Sequence, residues 1–184
     1  MQDQRNYFFE TRGWATSYFL GAPKDYIDQM VEKAYEIGDH MNQETNLKGI
    51  MSTYHVWNQT DLFNPLFDKI SEIISLEYKQ PMVLHNAWTG IYKNDHHAQP
   101  HHHCPSGHSF VYYIKATIED SPLVLGNNKF EIRPQTDLLI HFPALVEHLV
   151  PRQTNQSERV VIAGNLVPYD VDGQYIPEQI RKSN

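Results

Sequence analysis

The segment from Gln99 to Lys115, QPHHHCPSGHSFVYYIK, contains four of the eleven histidines of the chain and its single cysteine. The run SFVYYI that follows the histidines is rich in aromatic and β-branched residues, which is typical of a β-strand. Imidazole is the commonest metal-binding side chain at neutral pH. The segment therefore predicts either a metal site at a strand or a surface loop that is merely rich in histidine.

The spacing of the three consecutive histidines favours one arrangement on a strand. Side chains at positions i and i+2 point to the same face, so His101 and His103 can direct their rings at one point while His102 faces away. The competing pair, His102 with Cys104, would favour a softer metal such as zinc. Each pair supplies only two ligands, so a third donor has to come from elsewhere in the chain.

The segment LLIHFPALVEHLVPRQTNQSERVVIAGNLV, residues 138–167, offers that donor and a cation. His148 begins a predicted strand and is the best third ligand, although it could also be a surface histidine at a strand edge. Arg159 begins the apolar run VVIAGNL eleven residues later. A guanidinium that faces a barrel interior is costly unless it meets an anion, whereas at a strand end it can simply be exposed.

The chain changes in pattern at about residue 80. Before that point the segments 24–41 and 60–78 carry apolar residues at helical spacing, and Thr60 or Asp61 is predicted to cap the second helix. Between them, residues 46–59 predict a strand followed by a loop.

From Pro81 onward, short strands alternate with polar turns, which predicts a sandwich or barrel rather than βαβ units. The predicted strands lie at about 82–93, 100–104, 109–117, 122–125, 128–132, 136–142, 147–151 and 158–167. We expect a mainly β single domain over residues 1–184, with a helical N-terminal layer (about 1–80), a jelly-roll core (about 81–168) and a C-terminal tail (169–184).

Composition limits the function classes. The net charge is −7 with the histidines neutral, which argues against a nucleic-acid partner because neutralising phosphates requires clustered Lys and Arg. Cys104 is the only cysteine, so no intrachain disulfide can form and a reducing compartment is expected. The N-terminus MQDQRNYFFETRGW has no apolar segment of a signal peptide, and no run approaches the ~20 residues of a membrane span. We therefore expect a cytoplasmic protein without a membrane partner.

The order of these motifs resembles that of the iron(II)- and 2-oxoglutarate-dependent oxygenases, in particular the small prolyl-4-hydroxylase-like branch found in bacteria and phages. The resemblance is carried by YKNDHHAQPHHH, SFVYYI, DLLIHFPALVEHLVP and ERVVIAGN, and it covers about residues 82–167. It implies a double-stranded β-helix (jelly-roll) core and a dioxygenase that hydroxylates a C–H bond while 2-oxoglutarate is decarboxylated to succinate. For a phage-encoded chain, the location would be the host cytoplasm.

By position, the resemblance implies that His101, His103 and His148 hold Fe(II) and that Arg159 pairs with the far carboxylate of 2-oxoglutarate. The resemblance also puts Tyr113 in reach of that carboxylate and Tyr92 in the pocket near the iron-bound end. Asn165 shares strand parity with Arg159 and is expected to face the cavity as a further cosubstrate-binding residue. For the two tyrosines the alternative is core packing with a satisfied hydroxyl. The implied partners are 2-oxoglutarate, dioxygen and a substrate that is either a protein side chain or a small molecule.

The chain departs from the commonest pattern of that superfamily at His103, where Asp or Glu usually stands. Three histidines are compatible with iron but also suit zinc, copper or nickel, so the metal stays open. Tyr54 and Trp57, in the segment MSTYHVWNQ, are predicted to form a lid or substrate wall.

Two other readings stay open from the sequence. A cupin-type metalloenzyme shares the jelly roll and the H-x-H pair, but it typically places a glutamate shortly after that pair, and HHHCPSGHS has none. A non-enzymatic β-sandwich binding module with a histidine-rich metal-binding loop is the second. A nucleic-acid demethylase of the oxygenase superfamily is disfavoured by the acidic composition.

Overall fold

Two antiparallel β-sheets pack against each other, and two helices cover the opposite face of the larger sheet. The structure is a computed structural model that describes residues 4–9, 13–39, 45–127 and 129–169, with side chains from Trp14 onward. The predicted C-terminal tail beyond residue 169 lies outside the described residues. The mainly β, jelly-roll fold class predicted from the sequence is confirmed.

The helices lie in the first half of the chain, and strands occur along its described length. The helices are α1 (Lys24–Ile37) and α2 (Asn64–Tyr78), and a short 3-10 turn spans Val56–Asn58. The strands are β1 (Gln4–Phe9), β2 (Gly13–Phe19), β3 (Leu47–Lys48), β4 (Ile50–Met51), β5 (Met82–Tyr92), β6 (His97–His101), β7 (His108–Lys115), β8 (Leu123–Leu125), β9 (Phe130–Ile132), β10 (Leu138–Pro143), β11 (His148–Val150) and β12 (Arg159–Pro168).

The larger sheet has the order β1-β2-β10-β7-β12-β5-β4, and the smaller sheet has the order β3-β6-β11-β8-β9. All ten residues of β12 are buried, because this strand lies between β7 and β5 and is covered on both faces. The inner faces of the two sheets enclose one apolar cluster, and the helices pack on a second cluster behind the larger sheet. The candidate site lies between the sheets.

The helices form because their apolar residues recur every three or four positions and so gather on one face. Met30 and Ala34 are the buried residues of α1, and Ile70 and Ile74 are among those of α2. Full burial of a side chain such as isoleucine stabilises the fold by about 1.5–3 kcal/mol. The helical layer therefore supports the sheet from behind and leaves the space between the sheets free.

The start of α2 differs from the prediction. The helix begins at Asn64 after Phe63, with no side-chain cap. Thr60 Oγ1 instead accepts a hydrogen bond from the Leu62 amide at 3.2 Å, and the Asp61 carbonyl accepts one from the Asn64 amide at 3.0 Å. These bonds close a turn ahead of the helix, so the prediction that Thr60 or Asp61 caps it is wrong.

The N-terminal region contributes two strands that were not predicted from the sequence. β1 and β2 form a hairpin that extends the larger sheet beside β10. In β2, the polar residues Thr16 and Ser17 are both buried on a strand that also carries Ala15 and Tyr18. Because both faces mix polar and apolar residues, the alternation that marks a half-buried strand is missing.

Each strand predicted from Pro81 onward overlaps an observed one, but one shift affects the site. The strand predicted at 100–104 is β6, which ends at His101. No helix of the described residues combines the length and the apolar character that crossing a bilayer requires.

Candidate metal and cosubstrate site

The pairing of two short strands in the smaller sheet brings two histidines together. β11 pairs with β6 so that His148 lies opposite His101, and the register shifts between His148 and Val150. Such bulges re-aim side chains and are common beside functional sites. Two histidines separated by 46 intervening residues of sequence therefore become neighbours.

His103 reaches the same point by a different route. It lies two residues beyond the end of β6, so strand parity does not position it. Its amide instead donates to the Ala144 carbonyl at 2.8 Å, which ties the loop after β6 to the end of β10. The local geometry predicted for His103 is therefore wrong, although its side chain lies beside the other two histidines as expected.

The three rings face one another. Their centroids are separated by 4.2 Å (His101–His148), 4.9 Å (His101–His103) and 5.0 Å (His103–His148). One ligand atom from each ring lies within 4.8 Å of the other two. Within the described part of the chain, this is the one group of three or more histidine, cysteine or carboxylate side chains with that geometry. His102 and Cys104, the competing pair, are both exposed.

The three imidazoles are neutral at neutral pH. Burial lowers the pKa of His101. Burial also lowers the pKa of His103, to about 4, and the neighbouring His101 and His102 contribute to this shift. Burial also lowers the pKa of His148 well below its usual range. Neutral imidazole is the form that binds a metal ion.

Backbone carbonyls fix which ring nitrogen is available. The Nδ1–H of His101 donates to the Gln99 carbonyl at 2.6 Å, and the Nδ1–H of His148 donates to the Val146 carbonyl at 3.0 Å. The lone pair of each ring is therefore on Nε2. Hydrogen bonds to the ring nitrogen that faces away from the ion orient metal-binding histidines in proteins.

Arg159 is a buried cation without a charged partner. Its side chain is 1% exposed at the first position of β12. Nη1 donates to the Ser121 carbonyl at 2.5 Å, the guanidinium carbon lies 4.0 Å from the centre of the Tyr92 ring, and Nε has no partner. No carboxylate in the described residues forms an ion pair with it. A guanidinium in this state favours binding an anion.

The two predicted tyrosines lie beside that guanidinium. Tyr113 is 1% exposed, and burial raises its pKa to about 12 although the charge of Arg159 opposes the rise. The hydroxyl therefore stays protonated and can donate a hydrogen bond. Tyr92 contacts Arg159 through the face of its ring, a cation–π contact that lowers the cost of burying the charge. It therefore lies at the Arg159 end of the cavity and not, as expected, near the iron-bound end.

All seven predicted site residues line one cavity with a volume of about 150 Å³. It is enclosed by both sheets and reaches from the histidines to Arg159. Apart from Arg159 and the histidines, none of its lining residues carries a titratable charge at neutral pH. An anion placed there would therefore meet one fixed positive charge.

Asn165 lines the cavity far from Arg159. The two residues are six positions apart on β12, roughly 20 Å along an extended strand. The Asn165 amide donates to Asn86 Oδ1 at 2.7 Å and accepts from Ser109 Oγ at 2.7 Å. Its predicted part in cosubstrate binding stays a prediction, and its bonds are to protein groups.

Several lining residues were missed from the sequence. Trp88, whose ring centroid lies 5.6 Å from that of His103, and Asn86 share strand parity with Tyr92 on β5. Ser109 shares parity with Tyr113 on β7 in the same way. The period of two along each strand was the signal that could have identified them.

Of the two residues predicted to form a lid or substrate wall, Tyr54 lies at the cavity and Trp57 does not. Tyr54 lines the cavity and its ring packs edge-on against Trp88, with the centroids 5.3 Å apart. Trp57 does not line the cavity; it contacts His55 and Phe67 and belongs to the cluster beneath the helices. Only Tyr54 can therefore form part of a substrate wall.

Comparison with solved structures identifies the fold. The viral collagen prolyl hydroxylase of Paramecium bursaria Chlorella virus-1, in complex with 2-oxoglutarate, is similar over 83% of this chain and 94% of its own, with a TM-score of 0.65 and 12% identity. A prolyl-4-hydroxylase of Pseudomonas putida is similar over 83% and 91%, with a TM-score of 0.63 and 11% identity.

HygX of Streptomyces hygroscopicus, with nickel and 2-oxoglutarate bound, is similar over 89% of this chain and 91% of its own, with a TM-score of 0.66 and 8% identity. No protein-family model matches the sequence, and no curated protein matches it either. The fold of this chain is therefore that of the 2-oxoglutarate oxygenases, and at such low identity the likeness extends to the fold alone.

Proposed function

We propose that this protein is an iron(II)- and 2-oxoglutarate-dependent oxygenase that hydroxylates a C–H bond while 2-oxoglutarate is decarboxylated to succinate. The observation that carries the proposal is a single cavity that contains three neutral, converging imidazoles and a buried guanidinium without a counter-charge. The three imidazoles require a cation, and the guanidinium requires an anion. A metal chelated by a dicarboxylic 2-oxo acid supplies both.

The histidine group fits a metal ion. His101, His103 and His148 would bind Fe(II) on one face, with Nε2 as the ligand atom of His101 and His148. When bound, iron and 2-oxoglutarate would supply the activation of dioxygen, the oxidant, that amino-acid side chains cannot provide. Three neutral ligands leave the charge of a divalent ion uncompensated, and the carboxylate at the chelating end of the cosubstrate would offset part of it.

The other end of the cavity fits the far carboxylate. Arg159 would pair with it through the guanidinium, and the Tyr113 hydroxyl would donate a second hydrogen bond. The contact with Tyr92 holds the guanidinium plane. These residues would bind and orient the cosubstrate within a cavity that has both polar and apolar walls.

The solved structures support this assignment by what they contain. The viral prolyl hydroxylase binds 2-oxoglutarate, and HygX binds nickel, 2-oxoglutarate and hygromycin B. The substrate of this chain, a protein side chain or a small molecule, is not specified by those likenesses. Its cytoplasmic location stays a prediction from the lone Cys104.

The other readings are less well supported. In a loop that binds metal adventitiously, His148 would not share a site with His101 and His103, yet the three rings face one another. A cupin would not require Arg159 to be buried at the far end of the cavity. Neither alternative explains both ends of the cavity.

The experiment is to measure conversion of 2-oxoglutarate to succinate with Fe(II) and dioxygen, in the absence of added substrate. We expect slow turnover by the wild type and a loss of apparent 2-oxoglutarate affinity of at least about thirtyfold in Arg159→Ala, because truncating one partner of a buried charge pair costs ~2–5 kcal/mol. His102→Ala, at the exposed neighbour of the ligands, is the matched control and should retain turnover. Equal 2-oxoglutarate dependence in Arg159→Ala and the wild type would contradict the proposal and favour a cupin.

A further inference from the structure

The loop between β11 and β12 packs against the turn after β7, outside the cavity. Gln153 is the buried centre of this loop, with 1% of its surface exposed, and it does not line the cavity. Its backbone amide donates to the His96 carbonyl at 2.9 Å, and its carbonyl accepts from the Asp95 amide at 2.7 Å. From the sequence, both segments were predicted only as turns between strands.

The side chain of Gln153 holds two consecutive residues of the turn. Its Oε1 accepts from the Ser121 amide at 3.0 Å. Its Nε2 donates to Asp120 Oδ1 at 2.6 Å. One side-chain amide therefore fixes both the carboxylate of Asp120 and the backbone of the residue that follows it.

Asp120 is itself fully buried and saturated with neutral donors. Its carboxylate accepts from the Thr117 amide at 2.8 Å, from Asn155 Nδ2 at 3.2 Å and from Ser157 Oγ. Burial raises the pKa of Asp120, but these hydrogen bonds outweigh burial and lower it. The loop and the turn are thus joined by one closed polar network.

The polar network extends to the Ser121 carbonyl, which accepts a hydrogen bond from Arg159. Ser121, whose amide is held by Gln153, accepts from Arg159 Nη1 at 2.5 Å through its own carbonyl. The bond ties the guanidinium to the turn, in addition to its contact with the Tyr92 ring. The position of the Ser121 carbonyl therefore constrains where the guanidinium lies, and Nε is left without a protein partner.

We propose that Gln153 is a positioning residue for the cosubstrate, acting through Ser121 to hold Arg159 where it meets the far carboxylate of 2-oxoglutarate. The inference rests on the proposed function, since it assumes that Arg159 binds that carboxylate. Charge-assisted pairs depend steeply on geometry, and small displacements of a binding group are costly. Loss of Gln153 should weaken carboxylate binding without altering the histidine site.

The experiment compares Gln153→Met with the wild type, both loaded with nickel so that binding is measured without turnover. Methionine preserves length and volume but removes the amide. We expect about tenfold weaker binding of 2-oxoglutarate by calorimetry, equivalent to ~1.4 kcal/mol. Nickel affinity and the weak affinity for pyruvate, a 2-oxo acid without the far carboxylate, should not change. With iron, KM for 2-oxoglutarate should rise while kcat at saturation is retained.

Tyr18→Phe is the control for general destabilisation, because it removes a partly buried hydrogen bond to Glu77 on the opposite face of the sheet. It should lower the melting temperature and leave 2-oxoglutarate affinity unchanged. If Gln153→Met does not fold, Ser157→Ala removes one donor to Asp120 and should weaken 2-oxoglutarate binding about threefold, since a single hydrogen bond contributes ~0.5–1.5 kcal/mol.

Unchanged 2-oxoglutarate affinity in the folded variant, or an equal loss for pyruvate, would overturn this inference alone. A nickel-loaded wild type that binds no 2-oxoglutarate would overturn the proposed function and this inference with it. The two failures are therefore distinguishable in one set of titrations.

Discussion

The two faces of β10 adjoin buried histidines with different partners: His148 of β11 on the inner face and His141 of β10 itself on the outer face. On the inner face, Phe142 packs against the ring of His148 at 4.9 Å, beside the cavity. On the outer face, His141 is fully buried and its Nε2 lies 3.1 Å from Glu77 Oε2. The ring of His141 also stacks on Tyr18, with the two planes 5° apart.

On the outer face, the Glu77 carboxylate has several side-chain partners. Glu77 accepts from Tyr18 at 2.7 Å and from Thr16 at 3.0 Å, in addition to its contact with His141. We refer to Thr16, Tyr18, Glu77 and His141 as the outer-face network. It joins α2 to β2 and β10, and its carboxylate, that of Glu77, has three side-chain partners, which favours a structural role.

The inner face lacks such a carboxylate partner among the described residues. His101, His103 and His148 have one another as neighbours, and no carboxylate that the structure describes forms an ion pair with them or with Arg159. A buried imidazole beside a carboxylate stabilises the fold, whereas several imidazoles that converge without one form a cation site. The comparison shows that the partner, rather than the histidine, decides between structure and function.

The largest expected effect tests this distinction directly. His148→Ala should weaken metal binding by about a thousandfold or more, because even residues that only hydrogen-bond to a metal ligand contribute about 10–100-fold. His141→Ala should leave metal affinity unchanged and lower the free energy of unfolding instead. Calorimetric titration of nickel into each variant, with thermal denaturation, measures both. Equal loss of metal affinity in the two variants would remove the difference between the faces.

The second prediction concerns the pH dependence of stability. Burial raises the pKa of Glu77, but the hydrogen bond and charge of His141 and the bonds from Tyr18 and Thr16 lower it from 4.5 to about 2. Because the folded-state pKa is depressed, the stabilisation is complete above about pH 4.5 and is lost as the pH falls toward 2. With partial solvent screening, this contributes on the order of 1–2 kcal/mol.

In Glu77→Gln, the free energy of unfolding should therefore fall less steeply than in the wild type as the pH is lowered from 4.5 to 2. Urea denaturation across that range measures this dependence. Glu72→Gln, at an exposed position of the same helix, is the matched control and should keep the slope of the wild type. A Glu77→Gln curve parallel to that of the wild type would show that the outer-face network does not hold this charge.

The smallest expected effect lies at the anion end of the cavity. Tyr113→Phe should weaken 2-oxoglutarate binding by about threefold to tenfold, the contribution of a single hydrogen bond of ~0.5–1.5 kcal/mol. The ring and its packing are retained, so stability and metal affinity should stay close to those of the wild type. Calorimetric titration of the nickel-loaded variant measures the change. A gain in affinity would indicate that the hydroxyl competes for space instead of donating.

Part of the site could be predicted because it follows local periodicity. Arg159 was predicted from near neighbours, as a cation at the start of an apolar run, whereas Tyr113 was assigned because VYYI resembles the tyrosine-bearing strand of the oxygenases. His103 was also predicted, from strand parity with His101. That reason does not apply, because β6 ends at His101. Its position is set by the bond to Ala144, a contact that no local pattern encodes.

The sequence by itself determined the helices, the short strands of the second half and the candidate residues, because hydrophobic spacing and histidine clustering act over a few positions. The tertiary structure alone decided how His103 reaches the other two histidines, which histidine pairs with Glu77, that β1 and β2 extend the sheet, and that Gln153 contacts the Ser121 amide beside Arg159. These outcomes depend on hydrogen bonds and charges contributed by segments distant in the chain. Which distant segment lies beside a given residue depends on the register of the strands in the sheets, and that register is fixed only when the whole core packs.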